Sequence, residues 1–191
     1  MIRLAVILLI SPILFALDTR ISFSDTSVVS YKGSHPAHSW EGISKRVKGG
    51  ILCKDDSLKD CIIKVIIQLE SFDSGNSGRD SNMLFHTESH KYPFVKFNSD
   101  SFSIIDSINS DFDLTGILEF HGIENKISSN IQIFNKNNSF SGLTEFRISL
   151  DDYNVGKPQL LFVPISDEIE IKCNLFCKNE LLNKLLKNEE K

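Results

Sequence analysis

Between Cys61 and Glu70 the chain reads CIIKVIIQLE, with Cys61, Ile63, Val65, Ile67 and Leu69 alternating against Ile62, Lys64, Ile66, Gln68 and Glu70. Successive side chains of a strand point to opposite faces, so period two is the mark of a half-buried β-strand; a helix would repeat every three to four residues. The spacing returns at Phe112, Leu114, Leu118 and Phe120, and at Ile127, Ile131 and Ile133. It returns again at Phe140, Thr144, Phe146, Ile148 and Leu150, and at Ile169, Ile171, Cys173 and Leu175. The polar stretches GIEN, NKNN, DDYNVGKP and PISDE separate these runs and read as turns. Helical spacing is confined to GRDSNMLFHTESH and to the tail ELLNKLLKNEEK, with its stripe of Leu181, Leu182, Leu185 and Leu186. The expected fold is therefore all-β, either a sandwich or an up-and-down barrel, the latter of about eight strands, with a short helix before Tyr92-Pro93 and a helical tail over 178–191; composition does not separate the two.

A barrel of that size either fills with side chains or encloses one small ligand. Of the aromatic residues 14 are Phe, against 3 Tyr and 1 Trp, so most rings need no hydrogen-bond partner and suit either interior. At 191 residues one core suffices. The net charge of −4, with Lys and Arg scattered, carries no footprint for nucleic acid, which is set aside as a partner.

The opening MIRLAVILLISPILFALD places one Arg before a short apolar run, the pattern of a secretory signal peptide. The run is too short for a bilayer core of ~30 Å. The expected organisation is a signal peptide over 1–24, cleaved after Ala16 or near Ser24, then a barrel domain over 25–177 and a helical tail over 178–191. The mature chain is expected to be exported, periplasmic or secreted, without a stable membrane span. The tail is expected to dock on the barrel, with a homodimer through its leucine stripe as the alternative.

Four cysteines in an exported chain invite disulfides. Cys53 and Cys61 flank the turn KDDSLKD and could face each other across a hairpin, although small buried hydrophobes remain the alternative. Cys173 and Cys177 lie four residues apart, about 13 Å along a strand against the ~5.5 Å a disulfide spans between Cα atoms. They pair only if the strand ends between them.

The stretch FDSGNSGRDSNML, from Phe72 to Leu84, is dense in turn chemistry. Gly75 and Gly78 can take positive φ, Asp73 can bond nearby backbone, Asp80 can cap the helix that follows, and Arg79 can pair with a carboxylate elsewhere. Met83, Leu84 and Phe85 can then sit over one barrel mouth. Tyr92-Pro93 holds an extended backbone that launches the next strand.

FDSGNSGRDSNML followed by KYPFVKF resembles the YceI-like family, as do VSYKGSHPAHSWEGISKRVKGGI upstream and LTGILEFHGIENKI downstream. The resemblance spans roughly Ser27 to Cys177. It implies a lipocalin-like antiparallel barrel, exported, with an elongated apolar tunnel for a polyisoprenoid or another long lipid and no cofactor. Many members carry His where this chain has Asn82, so fold transfers more safely than ligand.

The positions that strand alternation turns inward, and so candidates to touch such a ligand, are Val29, Tyr31, Ile63, Val65, Ile67, Phe97, Phe112, Leu118, Phe120, Phe146, Ile148, Ile169 and Ile171, with Trp40 and Phe85 near an opening. Asp73, Arg79, Asp80, Tyr92 and Pro93 form the structural clasp. The competing reading is a filled barrel serving a protein partner or a metal through His35, His38 and Glu41. On one regular strand His35 and His38 would face opposite sides, so a shared ion would need a bulge or turn, which Pro36 permits. The sequence lacks G-x-S-x-G, a phosphate-cradling loop and H-E-x-x-H, and no enzymatic role is expected.

Overall fold

The computed structural model describes residues 19–136, 139–160 and 162–178. The signal segment through residue 18 and the tail from residue 179 lie outside the described residues. In chain order the strands are β1 (Thr19–Ser22), β2 (Val28–His35), β3 (His38–Ser44), β4 (Val47–Cys53) and β5 (Cys61–Gln68), followed by helix α1 (Ser77–His86). Next come β6 (Phe94–Ser99), a one-turn helix α2 (Ile104–Ser107), β7 (Asp111–Phe120), β8 (Ile123–Lys136) and β9 (Ser139–Ser149). A small hairpin of β10 (Gln159–Leu160) and β11 (Val163–Pro164) precedes the last strand, β12 (Glu168–Lys178).

Ten strands form one curled antiparallel sheet in the order β1-β4-β5-β6-β7-β8-β9-β12-β2-β3. The lipocalin-like all-β fold stands, with ten strands rather than eight. The count rises because the chain bends at Lys45 and Arg46, splitting one long run into β3, which pairs with β2, and β4, which pairs with β5. Neighbours in the chain thus sit near opposite ends of the sheet, and the backbone itself ties the curl together. β1 adds to the far side of β4, and Phe23, just after it, bridges to Cys177 of β12. The folded sheet therefore begins before residue 25: cleavage near Ser24 would remove a paired strand.

Alternation along β5 is followed residue by residue, with Cys61, Ile63, Val65 and Ile67 buried and Lys64 and Ile66 exposed. Two apolar clusters form, one filling one end of the curl and the other lining the opposite end. One gathers Ile21, Ile51, Cys53, Leu58, Cys61, Ile104, Ile133, Phe140 and Cys177. Here KDDSLKD departs from a purely polar turn, because Leu58 is 0 % exposed and its carbonyl accepts from Ile104 N at 2.9 Å. Cys53 and Cys61 are direct register partners and are joined by a disulfide. The second cluster, around Leu69, Leu118, Phe120, Leu150, Tyr153, Val155 and Ile169, lines the other end. DDYNVGKP is likewise no simple polar turn, since Tyr153 and Val155 are buried in that cluster.

Candidate functional site

The two clusters leave space between them. A cavity of about 770 Å³ is lined from β2, β3, β5, β6, β7, β8, β9, β12, α1 and the segment before β11. Val29 and Tyr31 reach it from β2, Trp40 from β3, and Ile63, Val65 and Ile67 from β5. Phe97 comes from β6, Leu118 and Phe120 from β7, Phe146 and Ile148 from β9, Ile169 and Ile171 from β12, and Phe85 from α1. Phe112 is the exception. Although it alternates inward, it lies at the start of β7 and stacks on Phe102 at 5.7 Å, so it belongs to the plug of the closed end.

The lumen stays open because aromatic rings lie along its wall rather than across it. Tyr31 faces Gly42 and Trp40 faces Gly33 across the β2–β3 ladder. A Cβ on Gly42 would fall 2.3 Å from the Tyr31 ring, and one on Gly33 2.6 Å from the Trp40 ring. The Phe97 ring rests on Gly116 in the same way, 2.7 Å from where a Cβ would stand. Glycine thus supplies a shelf onto which each ring can lie flat.

Midway along the wall two hydroxyls are paired, whereas nearer the mouth the Tyr31 hydroxyl and His35 Nε2 are buried without a hydrogen-bond partner among the described residues. Ser129 Oγ and Thr144 Oγ1 lie 2.5 Å apart, and Thr144 Oγ1 donates to the Asn130 carbonyl at 2.7 Å. Cys173, which with Cys177 is a free thiol, faces the lumen beside Thr144, and burial pushes its pKa up to about 12. Such a surface favours hydrocarbon, which asks for no hydrogen bonds. Nearer the mouth, burial lifts the Tyr31 hydroxyl to about 12, with the negative charge of Asp80 adding to the shift.

The mouth is framed by the β2–β3 hairpin, by α1 and by the segment from Leu150 to Asp167. Asn76 caps α1, its Oδ1 accepting from Arg79 N at 3.0 Å. Asp80 is therefore not the cap; it sits in the first turn and accepts from Ser74 N at 3.2 Å, holding the preceding turn onto the helix. Asp73 bonds Gly75 N at 2.7 Å, and its backbone pairs with Ile43 of β3. Arg79 pairs with no carboxylate among the described residues: its guanidinium lies 5.6 Å over the Trp40 ring and donates weakly to the Ser74 carbonyl. The clasp thus fixes α1 beside β3 at the mouth. Tyr92 lies on Gly122 and against His121, and the Pro93 carbonyl accepts from Leu69 N at 2.9 Å as β6 begins.

His35 and His38 share a face, contrary to the single-strand expectation, because the Pro36-Ala37 turn makes them partners across a hairpin with ring centroids 6.0 Å apart. Both line the cavity, while Glu41 is exposed and pairs in register with Lys32 on the outer face. The proposed trio does not assemble, and among the described residues no three His, Cys, Asp or Glu side chains cluster to hold a metal.

Sequence reasoning missed Val155, Gly156, Pro158, Leu160 and Ile165, which line the mouth. The apolar run Leu160 to Val163 beside a supposed turn was the signal available.

The YceI-like domain model matches residues 18–176. The chain belongs to the YceI-like family. Curated proteins gave no match to this family member. Among solved structures, Burkholderia cenocepacia BcnA is similar at 19 % identity and TM-score 0.67, covering 78 % of this chain and 95 % of its own. A polyisoprenoid binding domain from Saccharophagus degradans, implicated in plant cell wall breakdown, is similar at 16 % identity and TM-score 0.65, with 82 % and 97 % covered. The Campylobacter jejuni YceI protein is similar at 20 % identity and TM-score 0.58, covering 73 % and 85 %. At these identities the likeness is one of fold.

Proposed function

We propose that this YceI-like protein is exported and holds a long apolar lipid, a polyisoprenoid, in its cavity, carrying or storing it without transforming it. The observation that carries the reading is the cavity itself: about 770 Å³, walled by aliphatic and aromatic side chains, plugged at the disulfide end and open beside α1. That volume lies within the roughly 300–1,000 Å³ of small-molecule pockets. Burying ~400 Å² of hydrocarbon would contribute on the order of 10 kcal/mol gross, less several kcal/mol for ordering the chain. Family membership and the fold likeness to a polyisoprenoid binding domain support the choice of ligand class.

Export is supported by the opening apolar segment and by the Cys53–Cys61 disulfide, which suits an oxidising compartment. Cleavage after Ala16 would leave β1 whole. Asp73, Arg79 and Asp80 are occupied in the clasp and are given no catalytic part.

Trp40, the one tryptophan, lines the cavity and reports on its occupancy. Organic extraction of the purified protein should release a stoichiometric long-chain lipid by mass spectrometry. Adding a polyisoprenoid to the extracted, refolded chain should shift Trp40 emission saturably. A folded protein that yields no lipid and leaves Trp40 unchanged would overturn the reading.

A further inference from the structure

The segments that frame the mouth hold apolar side chains out in solvent. Phe85, near the C-terminal end of α1, is 75 % exposed; on the β10–β11 hairpin Leu160 is 44 %, Phe162 95 % and Val163 43 % exposed. From Gln159 to Pro164 the sequence contains no charged residue. Phe85 and Leu160 also line the cavity, so through them the apolar surface continues from the lumen wall over the rim. We propose that this rim is a docking surface for a lipid bilayer, with Phe162, Leu160, Val163 and Phe85 inserted at the boundary between headgroups and acyl chains.

Area argues for a bilayer over a second copy of the chain. A phenylalanine offers about 150–250 Å², so the four side chains together expose roughly 500 Å², short of the ~800 Å² each partner buries in a stable protein interface. Insertion at a membrane boundary has no such threshold, because each aromatic or aliphatic anchor contributes by itself. Shape agrees. Phe162 projects almost wholly free of its own protein, and a rigid partner would need a matching pocket, whereas fluid acyl chains part around it. The cations at the mouth are engaged, Lys157 with Asp151 and Asp167 and Arg79 over Trp40. Docking is therefore apolar, insensitive to salt and independent of anionic lipid.

The purpose rests on the carrier reading: with the rim in the bilayer, a hydrocarbon chain passes between membrane and lumen without crossing water. The pose follows from the fold. Thr19 pairs with Cys53 at the plugged end, so docking by the rim turns that end away from the membrane. A chain held instead by its opening apolar segment would bring the plugged end down.

The test places a single tryptophan in the full chain, in a Trp40→Phe background, at Phe162→Trp or at Lys59→Trp, the latter an exposed site at the plugged end. Vesicles of brominated phosphatidylcholine, against unbrominated ones, read contact with acyl chains. The expected result is several-fold quenching at position 162, unchanged by salt, and little at position 59. Equal quenching, stronger quenching at position 59, or none at either overturns the proposal. So does a dimer in sedimentation equilibrium that Phe162→Ser dissociates, which would assign the surface to a second copy. Polyisoprenoid uptake from an ethanol stock without vesicles is measured beside it on the unsubstituted chain, read by Trp40 emission. Uptake without docking sinks the rim alone, and docking without uptake sinks the carrier alone.

Discussion

Placing a methyl group at Gly42 tests the glycine shelf. The new Cβ would stand 2.3 Å from Tyr31 Cε1, 2.6 Å from Cζ and 2.8 Å from the hydroxyl oxygen. Ordinary contact begins near 3.4 Å, so the ring must withdraw by about 1 Å. Phe72 stands edge-on to it at 5.3 Å, and the hydroxyl has no hydrogen-bond partner among the described residues to hold it, so the ring swings into the lumen. Overpacking of this kind costs roughly 1–3 kcal/mol, a fall of about 2–12 °C in melting temperature for a domain this size. The displaced ring also narrows the mouth and should weaken lipid uptake. The backbone at Gly42 carries no left-handed φ, so without the ring, glycine to alanine in a strand should instead stabilise by roughly 0.5–1 kcal/mol. The sign of Gly42→Ala should therefore reverse in a Tyr31→Val background, read by thermal melts of all four corners of the cycle. The same positive shift in both backgrounds would refute the shelf.

Reduction of Cys53–Cys61, or its replacement by two alanines, opens a loop of sequence separation 8. The chain-entropy cost is about 2.5 kcal/mol, which should appear as a fall of roughly 5–10 °C in differential scanning calorimetry. At the mouth, Lys157 bridges Asp151 at 2.6 Å and Asp167 at 3.0 Å. Hydrogen bonds from Ser149 first, then from Lys157, hold the Asp167 carboxyl below its usual range, and bonds to Asp151 and Asp167 raise Lys157. A depressed carboxylate stabilises above its unfolded pKa of about 3.9 and a raised lysine below about 10.4, so the strut should hold between those limits and fail as acid protonates Asp167. Limited proteolysis of the 150–167 segment across pH should show this, with Ser149→Ala flattening the acid limb more than Lys157→Met. Cys173, facing the lumen with its thiol raised to about 12, should be alkylated slowly at pH 8 and more slowly still with polyisoprenoid bound. Buried Cys177 should show no such protection by peptide mass spectrometry, and equal protection at both thiols would count against a ligand lying along β12.

Much of the fold was legible because it depends on which residues face inward, and period two states that directly. β5, β7, β9 and β12 bury the side that their alternation marks. The Cys53–Cys61 pair was legible from its turn, and α1 from its spacing. What resisted were places where local polarity disagrees with position. Leu58 sits in a run of Lys, Asp and Ser yet is fully buried, because α2 folds back over it. Tyr153 and Val155 are buried because a strut of charges, Lys157 with Asp151 and Asp167, pins their loop across the mouth. His35 and His38 share a face because strand parity restarts across the Pro36-Ala37 turn, the exception that Pro36 had left open.

Whether the centre is open lies one step beyond alternation. Inward Phe and Ile serve a packed core and a lined cavity equally well, and composition does not separate them. What separates them is register: Tyr31 opposite Gly42 and Trp40 opposite Gly33 let two rings lie flat, and a slip of β3 by one residue would turn Gly42 and Trp40 together to the outer face, leaving Tyr31 without its glycine. A cavity in this fold is thus a property of cross-strand pairs, and the glycines that keep it open become visible only once each is matched with the ring that covers it.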